Sequence, residues 1–387
     1  MNRLITAACT VALLGSASAC SLTESNEPAA KGGGAITVES SADACKLTAT
    51  EAPSGNVAFK VKNTGTEVTE FYLYAEDGLR IVGEIENVGP GLTRDLVVRA
   101  APGTYVTACK PGMAGKGIRS DFEVTDSGKD TKITGVDQAT IDAATSQYAA
   151  YVRDQAGTLV TETEKFVAAY KAGEDDEARK LFPLARGYWE RIETVAESFG
   201  DLDPKMDLRE ADLEEGQKWT GWHRIEKDLW PPASGYKQLT PAERATYADD
   251  LLANTKILDQ RVQSLEYTVD QIGNGSKGLL DEVAAGKITG EEDIWSHTDL
   301  YDFQANVDGA RVAYEGLKPL LEVKDPELSQ QIESAFDALQ ALLDKYKVGE
   351  EDFVFYDTVT EPQRKELSDA VNALAEPLSK ITGAITL

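Results

Sequence analysis

The spacing of apolar residues changes about one third of the way along this chain, and no other feature restricts the fold as strongly. Between about residues 35 and 125, apolar and polar residues alternate in short segments, as in Val57, Phe59 and Val61. From about residue 140 onward, apolar residues recur every three or four positions instead. One such series is Leu181, Leu184, Tyr188, Ile192, Val195 and Phe199. Alternation predicts strands and the longer period predicts helices, so we expect an all-β domain followed by an all-α domain.

Turn and capping signals agree with this division. Gly-Pro turns such as Gly89–Gly91 separate short strand-like segments in the first half, a pattern typical of a sandwich or barrel. In the second half, Thr240–Glu243 and Thr360–Gln363 each combine a threonine, an early proline and a Glu or Gln three residues on. Such combinations mark helix starts. We therefore predict a β domain over residues 36–127 and a helical bundle over residues 136–387, which is long enough for a large core.

The first 19 residues have the three parts of a secretory signal. A basic start, Met1–Arg3, precedes the apolar run Leu4–Gly15, which is too short to span a bilayer. Small residues, Ala17–Ala19, then precede Cys20 and resemble a bacterial lipobox, except that Ala17 stands where Leu is usual. Either Cys20 carries lipid or ordinary cleavage follows Ala19. Residues 20–35 are polar and predict a flexible linker. We expect an exported protein of the cell envelope, periplasmic or lipid-anchored on the outer face of the membrane.

The charge balance excludes several classes of partner. The chain contains 66 acidic and 39 basic residues, which gives a formal net charge of −27. It has no basic stripe that could neutralise phosphates, so nucleic-acid binding is excluded. Anionic membrane surfaces would repel the chain, which leaves the N-terminal anchor as the only expected contact with a membrane. Excess acid can attract cations, although most such carboxylates form only a solvated surface.

Histidine and cysteine are scarce, and this limits the metal sites that the chain can build. The two histidines are His223 and His297. Beyond Cys20, the only cysteines are Cys45 and Cys109. This set is too small for a zinc finger of cysteines and histidines.

One histidine lies in a pattern that suits metal binding. His223 and Glu226 are three residues apart on a predicted helix, so they share a face and can direct a nitrogen and a carboxylate at one ion. The alternative is a hydrogen-bonded core histidine beside an unrelated glutamate. An earlier helix places Glu190 and Glu193 one turn apart, and a later helix adds Asp302. One imidazole with several carboxylates suits iron, zinc or copper, and additional oxygen ligands favour the ferric ion.

Motifs for hydrolytic catalysis are missing from the sequence. There is no H-E-x-x-H motif, in which two histidines bind zinc and a glutamate acts as the base. There is also no G-x-S-x-G elbow for a serine nucleophile. The missing second helical histidine favours a metal-binding component over a metallohydrolase. We therefore expect a protein that is not an enzyme.

Six stretches of the helical half resemble one bacterial family. They are Ala185–Glu193, Phe199–Pro204, Trp219–Glu226, Ser296–Leu300, Asp302–Gly309 and Ala375–Lys380. These stretches are long and specific, and they are spread over most of the helical half. On them, the chain resembles the EfeO family, the extracytoplasmic components of bacterial iron uptake systems of the EfeUOB type.

The resemblance carries expectations about fold and function. It implies a multidomain protein in which a cupredoxin-like β sandwich precedes an imelysin-like helical bundle. It also implies iron, ferric or ferrous, bound at a site that includes His223 and Glu226. Members of the family work beside a haem peroxidase and a membrane iron permease, to which captured iron would be delivered. Imelysin-like domains are also labelled peptidases, so an imelysin-like metallopeptidase is the alternative function.

The β domain departs from the blue-copper pattern. A blue-copper centre uses two histidines and one cysteine, and residues 1–222 contain no histidine. The resemblance instead suggests Cys45, Glu70 and Cys109 as metal ligands, for iron or for copper. The alternative is a disulfide between Cys45 and Cys109, a natural state outside the cytoplasm. The sequence leaves both alternatives open.

Overall fold

The structure is a computed structural model, and it describes residues 34–113, 115–128, 133, 135–213, 216–285, 287–349 and 352–386. The predicted signal peptide, Cys20 and most of the predicted linker lie outside the described residues. The described residues form an all-β part followed by an all-α part, which confirms the predicted fold class.

Strands in the first part of the described chain form two sheets. Their bounds are β1 (Ile36–Ser41), β2 (Ala44–Leu47), β3 (Glu51–Pro53), β4 (Gly55–Asn63), β5 (Thr69–Tyr74), β6 (Ile81–Val88), β7 (Thr93–Ala100), β8 (Gly103–Pro111) and β9 (Ile118–Thr125). One sheet has the strand order β2-β1-β4-β7 and the other has the order β3-β9-β8-β5-β6. Strand β1 pairs in parallel with β4, and β3 pairs in parallel with β9, whereas the other neighbours are antiparallel.

An aromatic contact joins the two sheets. The alternating residues of β4, Val57, Phe59 and Val61, are all buried, as their spacing predicts. The ring of Phe59 packs against Phe71 of β5 and Phe122 of β9, with ring centroids 5.1 and 5.5 Å apart. Because Phe59 belongs to one sheet and the other two rings belong to the second, these contacts hold the sandwich together.

A disulfide between Cys45 and Cys109 forms a second link between the sheets. Cys45 lies on β2 of one sheet and Cys109 lies on β8 of the other. This is one of the two alternatives that the sequence left open. Metals bind the thiolate form of cysteine, so in the disulfide state neither residue offers the ligand that the other alternative requires.

Helices make up most of the second part. Their bounds are α1 (Gln138–Ala172), α2 (Asp175–Glu190), α3 (Glu193–Glu197), α4 (Asp203–Met206), α5 (Trp222–Leu229), α6 (Pro241–Val262), α7 (Val269–Ala285), α8 (Asp299–Lys324), α9 (Pro326–Leu343), α10 (Glu361–Leu378) and α11 (Ile381–Thr386). A two-stranded hairpin, β10 (Lys347–Val348) with β11 (Asp352–Phe353), lies between α9 and α10. Among the helices described, none has the length and apolar character needed to cross a membrane.

The two predicted capping boxes are present. At the start of α6, the Glu243 side chain accepts the N–H of Thr240 at 2.8 Å, and the Thr240 hydroxyl accepts the N–H of Glu243 at 3.3 Å. At the start of α10, Gln363 accepts the N–H of Thr360 at 2.9 Å. These bonds satisfy N–H groups that a helix start otherwise leaves without partners.

The position of the short helix α5 depends on Gly221. Its φ of 88° lies in the left-handed region, which glycine enters without a steric penalty. A Cβ atom at this position would also collide with the carbonyl oxygen of Met206. Because α5 begins at Trp222, this close approach fixes the turn of helix on which His223 lies.

The two domains are in direct contact. The backbone N–H of Arg99 on β7 donates to Oδ2 of Asp270 on α7 at 2.8 Å. The N–H of Ile81 donates to the carbonyl oxygen of Ser198 at 3.0 Å. A cavity of about 850 Å³ lies between the domains, and none of the metal-site residues predicted from the sequence lines it. The candidate site of the helical domain is therefore a separate, buried feature.

Candidate metal centre

His223 is buried in the helical domain, with 2% of its surface exposed. Its Nδ1 atom lies 3.0 Å from Oε2 of Glu226, one turn further along α5. The shared helix face that the sequence predicts is therefore formed. Because Glu226 faces Nδ1, the other ring nitrogen is left for a different set of partners.

That nitrogen, Nε2, lies beside two carboxylates that the sequence did not single out. Oδ1 of Asp207 is 3.3 Å away and Oε1 of Glu292 is 3.4 Å away. Neither contact has the geometry of a hydrogen bond, so Nε2 has no hydrogen-bond partner among the described residues. Buried polar atoms nearly always have a partner, and this nitrogen is therefore a candidate to bind an ion.

The other carboxylate oxygen of Glu226 holds the loop of residues 290–298. Oε1 accepts the N–H of Trp295 at 2.9 Å, the N–H of Ser296 at 2.7 Å and the Ser296 hydroxyl at 3.0 Å. The same loop carries Glu292. Through Glu226, helix α5 and this loop are therefore fixed to each other.

Glu190 and Glu193, the predicted carboxylate pair, lie side by side and are bridged by a lysine. Nζ of Lys287 is 2.6 Å from Oε2 of Glu190 and 2.8 Å from Oε2 of Glu193. The side-chain amide of Asn306 also donates to Oε2 of Glu190, at 3.0 Å. Oxygens of both glutamates lie within 4.8 Å of an oxygen of Asp207. The pair therefore borders the surroundings of His223, and the ammonium group of Lys287 offsets part of its negative charge.

Arg186 is fully buried on α2 and contacts several carboxylates at once. Its Nε atom is 2.9 Å from Oδ2 of Asp302, and its Nη2 atom is 2.6 Å from Oε1 of Glu190 and 2.8 Å from Oε1 of Glu292. Its Nη1 atom contacts Oδ1 of Asp207. Asp302, a predicted ligand, is thus an ion-pair partner of Arg186, and its Oδ1 has no hydrogen-bond partner in the described part of the chain. The Asp207 and Glu292 oxygens that Arg186 contacts are the same atoms that face the imidazole.

Negative charge exceeds positive charge in this part of the molecule. The buried carboxyl groups are those of Glu190, Glu193, Asp207, Glu226, Glu292, Asp293, Asp299 and Asp302. Among the described residues, the permanent cations buried with these eight groups are Arg186 and Lys287. Unpaired charge in a protein interior is strongly unfavourable, so protons or an added cation must balance the rest. We call these residues, together with His223, the His223 centre.

The pKa values of the carboxyl groups show the same imbalance. Burial raises the pKa of Asp293 well above its usual value, and the neighbouring carboxylate of Asp302 raises it further. At Glu292, burial also acts to raise the pKa, but the charges of Lys287 and His223 outweigh it and bring the pKa to about 2. Burial and neighbouring charges therefore shift the pKa values of Asp293 and Glu292 in opposite directions.

The imidazole of His223 holds its proton firmly. Burial and the guanidinium of Arg186 both lower the pKa of His223, but contacts with Asp207, Glu226 and Glu292 outweigh them and raise it well above its usual value. Without an ion, these contacts therefore favour the doubly protonated ring. A metal that binds a ring nitrogen must first displace one of these protons.

Three groups of donor atoms among the described residues are compact enough to hold one ion. They are Asp207–His223–Glu292, His223–Glu226–Asp293 and Glu190–Glu193–Asp207. The first group uses Nε2 and the second uses Nδ1 of the same ring, so a single ion cannot use both. Each of these two groups combines one imidazole with two carboxylates, a donor set that suits iron-class ions.

Three residues of these groups were missed by the sequence analysis. Asp207 lies three residues beyond Phe199–Pro204, one of the stretches that carry the family resemblance. Glu292 and Asp293 belong to an acidic run just before the Ser296–Leu300 stretch. Their proximity to the stretches that carry the family resemblance was the one sequence signal that could have identified them. No spacing rule connects them to His223, because they come from separate segments that only the folded chain brings together.

The β-domain residues predicted as ligands do not come together as one set. Cα pairing between β5 and β8 places Phe71 opposite Cys109 and Glu70 opposite Lys110. Neighbouring residues of a strand face opposite sides of a sheet, so Glu70 lies on the face away from Cys109. Oε2 of Glu70 accepts the Tyr72 hydroxyl at 2.9 Å. Together with the disulfide, this register separates Cys45 and Cys109 from Glu70.

Comparison with protein families matches both domains. The family model for a cupredoxin-like domain matches residues 6–119. The family model for imelysin matches residues 144–381, which is more than half of the chain. The second match includes every residue of the His223 centre.

Individual proteins are also similar to this chain. An EfeM/EfeO family lipoprotein of Staphylococcus haemolyticus is 48% identical over 250 residues, covering 64% of this chain and 85% of that protein. An EfeM/EfeO family lipoprotein of Staphylococcus aureus is 45% identical over 247 residues, covering 63% of this chain and 85% of that protein. A crystal structure described as an iron-regulated protein A precursor from Parabacteroides distasonis shares 13% identity at a TM-score of 0.46 and covers 65% of this chain and 96% of that one.

Proposed function

This chain belongs to the imelysin family and to its group of EfeM/EfeO family lipoproteins, and from that premise we propose that it is the extracytoplasmic iron-binding component of an EfeUOB-type uptake system. One observation carries the proposal. In the part of the chain that the structure describes, His223 Nε2 is buried without a hydrogen-bond partner beside two carboxylates, in a centre where carboxyl groups outnumber cations. Such a site gains charge balance when a multivalent cation enters.

The donor set favours iron over other common ions. Magnesium and calcium prefer shells made only of oxygen, whereas His223 supplies a nitrogen. Structural zinc sites draw on several cysteines or histidines, and this centre has a single imidazole. The surrounding carboxylates, among them Asp207 and Glu292, are the hard ligands that a ferric ion prefers.

A binding role fits the centre better than peptidase activity does. A zinc peptidase keeps one metal position open to substrate and uses a free carboxylate as its base. Here Glu226 accepts four hydrogen bonds, and Asp207, His223 and Glu292 are all buried. Neither an accessible metal position nor a free base is present among these residues. We propose that the bound ion is cargo, delivered to the membrane iron permease with the haem peroxidase as a second partner.

The names of the relatives bear on location. Both Staphylococcus proteins are described as lipoproteins, and Cys20 follows small residues as a lipidated cysteine does. We propose that mature chains begin at Cys20 and are held at the outer face of the membrane by lipid. Stable anchoring takes more than one acyl chain. Mass spectrometry of the native N-terminus should show an acylated Cys20, and an unmodified cysteine would remove the anchor from this proposal.

Titration of the full chain with iron tests the proposal. We expect one tightly bound iron per chain by calorimetry and by metal analysis, with excess magnesium or calcium unable to displace it. Zinc-loaded protein should not hydrolyse casein or a peptide library. Absence of saturable iron binding would refute the proposal, and metal-dependent peptide turnover would favour the alternative function.

The affinity for iron should depend on pH. Because the pKa of His223 is raised well above its usual value, an ion competes with a ring proton, and affinity should fall as the pH drops below that raised pKa. Asp293, whose pKa is also raised, adds to the effect if its proton is displaced. We expect a loss of about tenfold per pH unit for each proton released. Calorimetry in buffers of different ionisation enthalpy counts these protons, and a count of zero would contradict the assignment.

A further inference from the structure

The contacts of Glu226 leave it little capacity to bind a metal. Oε2 lies 3.0 Å from Nδ1 of His223. Oε1 accepts two N–H groups, from Trp295 and Ser296, and the Ser296 hydroxyl as well. A carboxylate offers about two lone-pair positions on each oxygen, so Oε1 is fully used, and the Nδ1–H of His223 takes one of the two positions on Oε2. An ion could bind Oε1 only by releasing the loop of residues 290–298, and at Oε2 it would share the oxygen with His223.

The opposite side of the imidazole has the spacing that a metal needs. Nε2 is 3.3 Å from Oδ1 of Asp207 and 3.4 Å from Oε1 of Glu292. An ion with bonds of about 2.1 Å holds adjacent donors about 3.0 to 3.4 Å apart. Nε2 is also the ring nitrogen for which the described residues provide no hydrogen-bond partner. Asp293 Oδ1, the carboxylate oxygen nearest to Nδ1 after that of Glu226, is 3.8 Å away.

We infer that Glu226 is a positioning residue and not a ligand: it accepts the Nδ1–H of His223 and so presents Nε2 to an ion shared with Asp207 and Glu292. A carboxylate that fixes the tautomer of a metal-binding histidine in this way also raises its basicity. This inference rests on the proposed function, because it assigns roles within the same ion site. It differs from the sequence-based expectation, in which His223 and Glu226 bind the ion side by side.

The same carboxylate has a second positioning effect. The loop that it holds through Trp295 and Ser296 also carries Glu292, so Glu226 fixes two ligands relative to each other: the imidazole through Oε2 and the loop carboxylate through Oε1. Asp293 is held separately, because its carboxylate accepts the hydroxyl of Thr298. Loss of Glu226 should therefore disturb both the tautomer of His223 and the position of Glu292.

The ring nitrogen that carries the ion distinguishes the two roles of Glu226. If Glu226 positions His223, the ion binds Nε2 and the proton stays on Nδ1. If Glu226 is itself a ligand, the ion binds Nδ1, which is the nitrogen that it faces, and the proton moves to Nε2. The full chain, labelled with ¹⁵N-histidine and titrated with Zn²⁺ as a diamagnetic probe, reports this directly by NMR. The chain contains two histidines, and a His297→Gln variant assigns their signals.

The expected spectrum shows zinc-bound Nε2 and a protonated Nδ1 at His223. Zinc-bound Nδ1 with a protonated Nε2 would overturn the inference but would leave the proposed function intact. If neither nitrogen of His223 responds to Zn²⁺, the centre does not use this histidine, and both the inference and the proposed site fail. The zinc titration itself uses the unaltered chain, and only the assignment of the two histidine signals relies on the His297→Gln variant.

A Glu226→Gln variant provides an independent test. The glutamine oxygen can still accept the N–H groups of Trp295 and Ser296, while its NH₂ group faces Nδ1 and forces the proton of a neutral ring onto Nε2. We expect a folded protein whose iron affinity is lower by about 10- to 100-fold, the usual effect of changing such a partner. Its apo ¹⁵N spectrum at high pH should show the proton on Nε2. The matched control is Glu291→Gln, which changes an exposed acid of the same loop.

Variants of the two candidate ligand sets complete the comparison. Glu292→Gln should weaken iron binding more than Asp293→Asn does, because Glu292 belongs to the Nε2 set and Asp293 to the Nδ1 set. The reverse order would overturn the inference. Unchanged iron affinity in the Glu226→Gln variant, with a normal spectrum, would overturn it as well.

Discussion

Replacing His223 with alanine should abolish tight iron binding, with a loss of affinity greater than about 100-fold. Residues that only hydrogen-bond to a metal ligand already change affinity by about 10- to 100-fold when they are replaced, and loss of a ligand should cost more. Helix α5 should remain in place, since Trp222, Ile225 and Leu229 are fully buried and unchanged by the substitution. Calorimetric titration of the full-length variant measures the loss, and far-UV circular dichroism checks the fold.

The matched control is His297→Ala. His297 is the other histidine of the chain and belongs to none of the ligand groups found among the described residues. The His297→Ala variant should bind iron with the affinity of the wild type. Unchanged affinity in a folded His223→Ala protein, or an equal loss in both variants, would contradict the assignment of the site.

Replacing Arg186 with methionine should lower the free energy of unfolding of the ion-free protein by about 3–5 kcal/mol, the usual cost of removing one partner of a buried ion pair. Arg186 is fully buried and contacts carboxylates of Glu190, Asp207, Glu292 and Asp302. Without it, these groups must take up protons or remain unpaired. Urea denaturation with and without iron measures the effect.

Iron should restore much of that loss, because a bound ion takes over the charge balance at Asp207 and Glu292. The stabilisation by iron should thus be larger in Arg186→Met than in the wild type. The control is Arg311→Met, which removes a half-exposed arginine paired with Asp337 and should cost less than about 1 kcal/mol. Similar costs for the two variants, or no extra rescue by iron, would show that Arg186 is not the counter-ion of the centre.

The sequence predicted the fold class because each domain follows one period from end to end. The alternating residues of β4 are buried together, and the threonine capping boxes start α6 and α10 as expected. These features depend on residues close together in the chain, where geometry is fixed by backbone spacing. The same local geometry explains why the contact between His223 and Glu226, three residues apart, could be predicted.

The composition of the centre could not be predicted in the same way. Arg186 and Glu190 lie on the polar face of α2, which a sequence pattern cannot distinguish from a solvated surface. In the structure that face is buried against Asp302 and Asn306 of α8. Helix packing therefore converts an ordinary polar face into part of an ion site, and this packing depends on residues more than a hundred positions apart.

Of the two alternatives for the β domain, the metal-ligand set depends on strand register. Cys45, Glu70 and Cys109 are compatible with a metal site only if their side chains share a face. The pairing of Phe71 with Cys109 puts Glu70 on the opposite face of the sheet. A shift of one residue in this pairing would reverse the result, and a single sequence does not fix it.

The location of iron in the folded protein tests the central claim most directly. Crystals of the full chain loaded with iron, with diffraction data collected on both sides of the iron absorption edge, reveal the metal by its anomalous signal. We predict one strong peak within bonding distance of a His223 ring nitrogen, between Asp207 and Glu292. A peak in the β domain near Glu70, or no ordered iron in crystals of protein shown to bind it, would contradict the account.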